Sequence, residues 1–315
     1  MDRTEWNKLV CAYTPPFGAF LQSYEWGEFQ KRLGRDVVRV YEEDETGVLI
    51  AQAVKLELPF GQYYWFVPKG PLGTMEGNHA TEILRNALPG GVFLRLEPAQ
   101  EMPLQSVKEV HPATSLILDL SKDEEVILQE MKSKTRYNVR LSRRKGVTSR
   151  RVDLSHFDDF TRLVDQTAAR DKIRFHAPEY YRMMLETLHD GQVRAFLAMS
   201  FFEGRPLAAD IIVDFAGQRT YLFGATSNLH RNVMAQYHLH AHLIFEAKER
   251  GMETFDFFGI APPEASKKHS WFGITRYKLG WGGDMVQVPG TQELTMKHFW
   301  YGTYRTLKGL RGIFR

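Results

Sequence analysis

The stretch HSWFGITRYKLGWGGDM (269–285) sets one lysine, Lys278, among aromatic residues and glycines. An ammonium held there, walled by Phe272, Tyr277 and Trp281, can face an oxygen on which negative charge develops. A fixed cation in that role contributes about 3–4 kcal/mol to a transition state. Glu97, in FLRLEP (93–98), is the best candidate for accepting a proton, although a Glu on a strand also serves as an ion-pair partner for a neighbour such as Arg95. Between residues 132 and 151 the chain carries nine Lys or Arg and no acid. Arg136, Arg140 and Arg143 or Arg144 recur there at helical spacing. With Lys134 they form a positive face suited to phosphate backbones, the alternative being a solvated linker helix. His238, His240 and His242 share one segment, but no HExxH and no acid at ligand spacing accompany them, so no metal is assigned. No Gly-x-Ser-x-Gly elbow, phosphate-binding loop or dinucleotide fingerprint occurs. Gly280, Gly282 and Gly283 follow their segment rather than opening a helix, which argues against a phosphate cradle.

The elements that must position these groups form real cores. The chain has 315 residues, 43% hydrophobic and 13% aromatic, which is enough for one large or two ordinary domains. The net charge of +3 is small, so any basic surface comes from uneven placement. A single cysteine, Cys11, excludes an internal disulfide framework and any cysteine-based metal site. The start MDRTEWNKLV does not read as a signal peptide, and no apolar run approaches the roughly 20 residues that span a bilayer. A cytoplasmic protein is expected, a monomer, with work at the inner face of a membrane still open to it.

Taken in order, one plan occurs twice. A helix over 22–33, with Ser23 as N-cap, precedes three strands (DVVRVYEE, VLIAQAVKLEL, YYWFVPKGPL), a helix over 79–88 and the strand VFLRLEP; SLILDL is one further strand. Helices over 157–170 and 179–188 then precede VRAFLAMSFF, PLAADIIVDF and RTYLFGATS, a helix over 233–250 ending at Gly251, and the strand TFDFFGI. The expected fold is α+β, with mixed, mostly antiparallel sheets flanked by helices; the helix–strand order of the second half resembles the N-acetyltransferase superfamily, which with the repeated plan implies two tandem N-acetyltransferase-like domains. The first is assigned to 1–150, with 285–315 packing back on it, and the second to 151–284. The tail KHFWYGTYRTLKGLRGIFR (297–315) mixes aromatics with cations and has no acid. Its aromatic residues are Phe299, Trp300, Tyr301, Tyr304 and Phe314, and its leucines Leu307 and Leu310. Such a segment suits an anionic membrane surface or, equally, packing onto the first domain.

Several motifs in this order resemble the FemABX group of bacterial peptidyltransferases: FLQSYEWGEFQ (20–30), VPKGPLG (67–73), FLRLEP (93–98), KTRYNVR (134–140), SNLHRN (227–232), FDFFGI (255–260) and TRYKLGWGG (275–283). The resemblance spans nearly the whole chain. It implies transfer of an amino acid from aminoacyl-tRNA to the peptide-stem amine of a peptidoglycan precursor, either nucleotide-linked or lipid-linked, with no cofactor. It also implies that Lys278 approaches the substrate phosphates and the reacting ester, and that Glu97 stands where an acid has been considered as base. Tyr24 and Trp26 would line the precursor site, Tyr180, Tyr181, Arg182, His230 and Arg231 would bind its pyrophosphate and sugar, and Tyr277 would be a further substrate-binding residue. The helical arm that some members insert is absent. The loop that in coenzyme-A users is glycine-rich reads SNLHRNVMAQ here. A coenzyme-A-dependent N-acyltransferase, a non-catalytic module binding tRNA or anionic lipid, and aminoacyl transfer to protein amino termini remain the alternatives.

Overall fold

The computed structural model describes residues 1–313, with side chains through Lys308. It divides into two units, Met1–Ala113 with Val288–Arg315, and Thr114–Gln287.

The first unit contains helices α1 (Arg3–Ala12), α2 (Tyr24–Arg32) and α3 (Gly77–Ala87). Its strands are β1 (Val37–Asp44), β2 (Gly47–Glu57), β3 (Tyr63–Val67), β4 (Leu72–Gly73), β5 (Phe93–Leu96) and β6 (Gln105–Ser106). The second unit contributes β7 (Thr114–Asp119), α4 (Glu124–Glu130), α5 (Ser133–Arg144), β8 (Thr148–Val152), α6 (Phe157–Asp171) and α7 (Pro178–Thr187). It continues with β9 (Arg194–Phe202), β10 (Arg205–Phe215), β11 (Gln218–Thr226), α8 (Ala235–Glu249), β12 (Thr254–Asp256), α9 (Phe272–Lys278) and β13 (Asp284–Gln287). The chain then returns to the first unit with β14 (Gln292–Thr295) and α10 (His298–Ile313).

Local chemistry accounts for the element ends. Asp2 and Glu5 close a capping box at the start of α1, a helix not expected from the sequence. The Ser23 hydroxyl accepts from Trp26 N at 3.1 Å and caps α2. At the end of α8, Gly251 takes a left-handed φ of 74° and Met252 N donates back to Ala247 O at 3.0 Å.

The two sheets repeat one series of pairings. In the first, β1–β2 and β2–β3 are antiparallel, β3–β5 parallel and β5–β14 antiparallel. In the second, β9–β10 and β10–β11 are antiparallel, β11–β12 parallel and β12–β7 antiparallel. A helix, α3 or α8, lies in the chain between the members of each parallel pair, as a parallel crossover requires. The mixed α+β plan with flanking helices is therefore present in both halves.

The division itself differs from the expected one: β7, α4, α5 and β8, placed by sequence in 1–150, belong to the second unit. SLILDL pairs with β12 and β13, and an apolar strand reads the same whichever sheet it completes. TFDFFGI also departs from expectation: the regular strand ends at Asp256, after which only Phe257 N (2.9 Å) and Ile260 N (3.0 Å) donate to β7, at Leu116 O and Thr114 O.

The core of the second unit gathers α8 (Leu239, Leu243, Ile244), β12 (Phe255) and Trp281. In the first unit, Arg95 on β5 is tied to Glu293 on β14 by an ion pair from which water is almost excluded (side chains 6% and 3% exposed). Tyr301 Oη donates to Glu293 Oε2 at 2.6 Å, and Arg95 Nη2 donates to Tyr304 Oη at 2.9 Å, so the same pair holds α10. Removing one partner strands a buried charge. Glu293→Ala is expected to lower unfolding free energy by about 3–5 kcal/mol in denaturant titration.

Candidate active site around Lys278

Lys278 ends α9 and is buried. Its Nζ donates to the carbonyls of Phe258 at 2.5 Å and Gly259 at 2.8 Å. Both acceptors have left-handed backbones, with φ of 46° and 73°, and for Phe258 that conformation carries a steric cost. Two motifs distant in sequence, FDFFGI and TRYKLGWGG, thus meet at one ammonium. Asp256 braces the turn: Oδ1 accepts from Ser115 Oγ at 2.5 Å and from Phe258 N at 2.8 Å. An ammonium has three donors. The third bonds none of the described residues; the Tyr221 ring lies 5.3 Å from Nζ. Burial pushes the Lys278 pKa down to about 7, against the pull of the Asp256 and Asp210 carboxylates.

A buried relay adjoins it. Tyr277 Oη lies 2.8 Å from His240 Nδ1, and His240 Nε2 lies 3.1 Å from Asp210 Oδ2. Gln236 Nε2 also lies 2.9 Å from His240 Nε2. Gln236 Nε2 donates to both Asp210 oxygens at 3.0 Å. Asp210 and His240 are wholly buried, and burial raises the Tyr221 and Tyr277 hydroxyls well above the ordinary tyrosine range. The register of β10 and β11 shifts between Ile211 and Ile212, a bulge that bends the strand beside Asp210. Opposite Asp210 stands Gly224, where a Cβ would lie 2.0 Å from Tyr221 Oη and 2.7 Å from Asp210 Oδ1. Asp210, Gln236, Tyr221 and Asp256 were not singled out in the sequence, and His240 stood out there only as one of three histidines. The available signal was an acid inside the apolar run PLAADIIVDF.

The other expected residues scatter. Phe272 is 37% exposed and Trp281 lies wholly in the core, and the ring 5.3 Å from the ammonium is that of Tyr221. The glycines after Lys278 serve close packing: a Cβ at Gly280 would meet Thr135 Oγ1 at 2.5 Å, and one at Gly283 would meet Ile117 O at 2.4 Å. Tyr181 is buried against Phe160 and Phe223, and its hydroxyl accepts from His176 N. Tyr180 stacks on His176 at 4.0 Å, and the exposed Arg182 lies over Phe157. His230 and Arg231 are exposed on the turn before α8, where His230 and Met234 both adopt positive φ. His238 bonds Ser149 Oγ at 2.6 Å, and burial together with the Arg143 charge lowers its pKa to about 4. On α5, Lys134, Arg140, Arg143 and Arg144 are exposed around Tyr137, which is 50% exposed. Arg136 is otherwise engaged: its Nη1 donates to the Leu128, Gln129 and Met131 carbonyls at the end of α4.

In the first unit, Tyr24 stacks under the Arg39 guanidinium at 3.7 Å, while Trp26 packs edge-on against Phe20 and Phe29 in the core. Glu97 is buried and accepts from Lys69 N (3.2 Å) and His111 N (2.8 Å), with His111 Nδ1 2.8 Å away. Burial alone would raise its pKa, but the charges of His111 and Lys69 and the hydrogen bonds from His111 outweigh it and hold the carboxyl at about 2. A carboxylate so held is a poor base near neutral pH.

Three comparisons bear on this arrangement. The model of the FemAB family matches residues 102–204 and 200–309. The lipid II:glycine glycyltransferase of Staphylococcus haemolyticus is 22% identical over 265 residues, covering 63% of this chain and 62% of that protein. Its namesake in Staphylococcus aureus is 21% identical over 265 residues with the same shares. The chain thus spans about 62% of the length of these curated relatives. Among solved structures, FemX superposes with a TM-score of 0.81 at 17% identity, covering 96% of this chain and 98% of that one. The C-terminal domain of a putative lysylphosphatidylglycerol synthetase from Agrobacterium fabrum gives a TM-score of 0.56 at 13% identity, covering 93% and 92%. Both structural likenesses are of fold.

Two measurements test the geometry. The lysine titrates near 10.5 when unfolded and near 7 when folded. Between these values the unfolded chain holds the extra proton, so stability should rise with pH. The stability of the wild type relative to Lys278→Met, from unfolding at several pH values, is expected to be constant below about 7 and to climb towards 10.5; a flat difference would refute the burial. Gly224→Ala should displace the Tyr221 hydroxyl and cost about 1–3 kcal/mol in the same assay.

Proposed function

Because the chain belongs to the FemAB family, we propose that it is an aminoacyltransferase. It would move an amino acid from aminoacyl-tRNA to the peptide-stem amine of a peptidoglycan precursor, forming an interpeptide-bridge amide. The observation that carries this reading is the buried Lys278 ammonium, fixed by two carbonyls beside the Asp210–His240–Tyr277 relay. The names of the staphylococcal relatives support an acceptor of the lipid II kind.

The chemistry follows from the donor. An unprotonated primary amine attacks the aminoacyl ester carbonyl, the C–N bond forms, and an oxyanion develops. Collapse breaks the bond to the ribose oxygen, which leaves with a proton as the tRNA hydroxyl. A group with a pKa near 7 suits both halves of that exchange. Neutral Lys278 takes the proton released by the amine, and the resulting ammonium faces the oxyanion before returning a proton to the leaving oxygen. In this role Lys278 replaces Glu97 as proton acceptor. The relay positions Tyr277, the neighbour of Lys278 on α9, through His240 and Asp210. No cofactor enters these steps.

The exposed Lys134, Arg140, Arg143 and Arg144 on α5 are the cations for tRNA phosphates. Arg136, committed to carbonyls, is removed from that set. A lipid-linked acceptor would bring the protein to the face of an anionic membrane; no helix among the described residues is long and apolar enough to cross one.

The test is incubation with a mixed pool of charged tRNAs and with both nucleotide-linked and lipid-linked precursors, followed by mass analysis. One added aminoacyl residue is expected, and no mass gain on either precursor would refute the assignment. Lys278→Met is expected to lower turnover about 10²–10³-fold while tRNA affinity is kept. Arg140→Ala with Arg144→Ala should instead weaken tRNA binding and flatten its salt dependence, by about 0.7–0.9 in log–log slope per lost phosphate contact.

A further inference from the structure

In the first unit, the turn joining β2 to β3 presents Phe60, 72% exposed and held at a φ of 64°. A bulky aromatic in the left-handed region, open to water, gains little from its own fold. Its ring lies 6.3 Å from that of Trp300 on α10, and Trp300 lies 5.6 Å from Phe299, itself 78% exposed. Beside these rings runs a groove of about 320 Å³, lined by Leu58, Pro59, Val92, Trp300 and Leu307 among others. The other face of α10 is spent on folding, with Tyr301 buried against Phe93, while Tyr304 both packs on Phe93 and lines the groove. Leu310 and Phe314, which the sequence groups with the aromatic and apolar residues of this tail, lie outside the residues whose side chains are described.

Charge identifies the occupant. Residues 58–62 are uncharged, and from 297 to 315 the chain holds five Lys or Arg and no acid. Lys297, Arg305 and Lys308 are exposed, and Lys308 lines the groove. Glu57, which also lines it, is 4.0 Å from the Lys55 ammonium. Exposed rings flanked by cations match the boundary of a bilayer, where aromatic side chains sit at headgroup level and cations meet phosphates.

We propose that the Phe60 turn and α10 form a docking site for an anionic phospholipid bilayer, with the rings entering the headgroup layer and the groove accepting an acyl chain. This deepens the reading of a lipid-linked acceptor, but the measurement does not depend on transfer.

Flotation with phosphatidylglycerol–phosphatidylcholine vesicles tests it, using the full chain. The wild type is expected to float with the anionic vesicles, to float much less with phosphatidylcholine alone, and to be released by salt. Phe60→Ser with Phe299→Ser, both at exposed positions, should reduce binding at least about tenfold. Arg305→Ala with Lys308→Ala should reduce it about fivefold or more per cation at low salt. Neither pair should alter transfer to a water-soluble precursor, so loss of docking and loss of the transferase reading separate. Failure of the wild type to bind, equal binding to both vesicle types, or undiminished binding by the ring variant would each overturn the proposal. Unfolding midpoints matching the wild type establish that the variants are folded.

Discussion

The second unit is organised around an ammonium with nowhere to be solvated. Lys278 is buried, so its charge is tolerated only because the Phe258 and Gly259 carbonyls and the nearby Asp256 and Asp210 carboxylates replace water. Both carbonyls face one nitrogen because the chain after β12 turns through two successive left-handed residues, Phe258 and Gly259. That turn needs its own brace, which Asp256 provides through Ser115 and the Phe258 amide. Strand end, strained turn and helix end are thus consequences of holding one charge.

In the proposed reaction, the incomplete compensation is what would let Lys278 move a proton. A fully paired lysine would stay protonated, and a fully desolvated one would stay neutral. Lys278, lowered to about 7, lies between them. Glu97 is the contrasting case. It is equally buried, yet two main-chain amides and the His111 ring keep it ionised at a pKa of about 2. The sequence pairs the two groups as cation and base, and their environments lower the one to about 7 and the other to about 2.

The repeated sheet plan was legible because strands and helices announce themselves by periodicity and by caps such as Ser23 and Gly251. Lys278 was legible through its unusual surroundings of aromatics and glycines. The relay was not. His240 drew notice only as one of three histidines at metal-like spacing, and Asp210 was hidden as one polar position in an apolar strand. Their meeting depends on β10 running beside β11 with a bulge, and on Gly224 leaving room for the Tyr221 hydroxyl. Arg136 erred the other way: helical spacing placed it with exposed cations, but the end of α4 needed its guanidinium.

By itself, then, the sequence determined the α+β class, the duplicated order of elements and the basic surface of α5. These follow from short-range periodicity and composition, which a chain carries in any arrangement. The tertiary structure decided which sheet β7 and β14 complete, which of the buried charges is poised and which is locked, and which aromatics of the tail face solvent. Each of those depends on partners tens or hundreds of residues away, as with Arg95 and Glu293 or Asp210 and His240. A group's burial and charge state are set by such partners, and local sequence does not encode them.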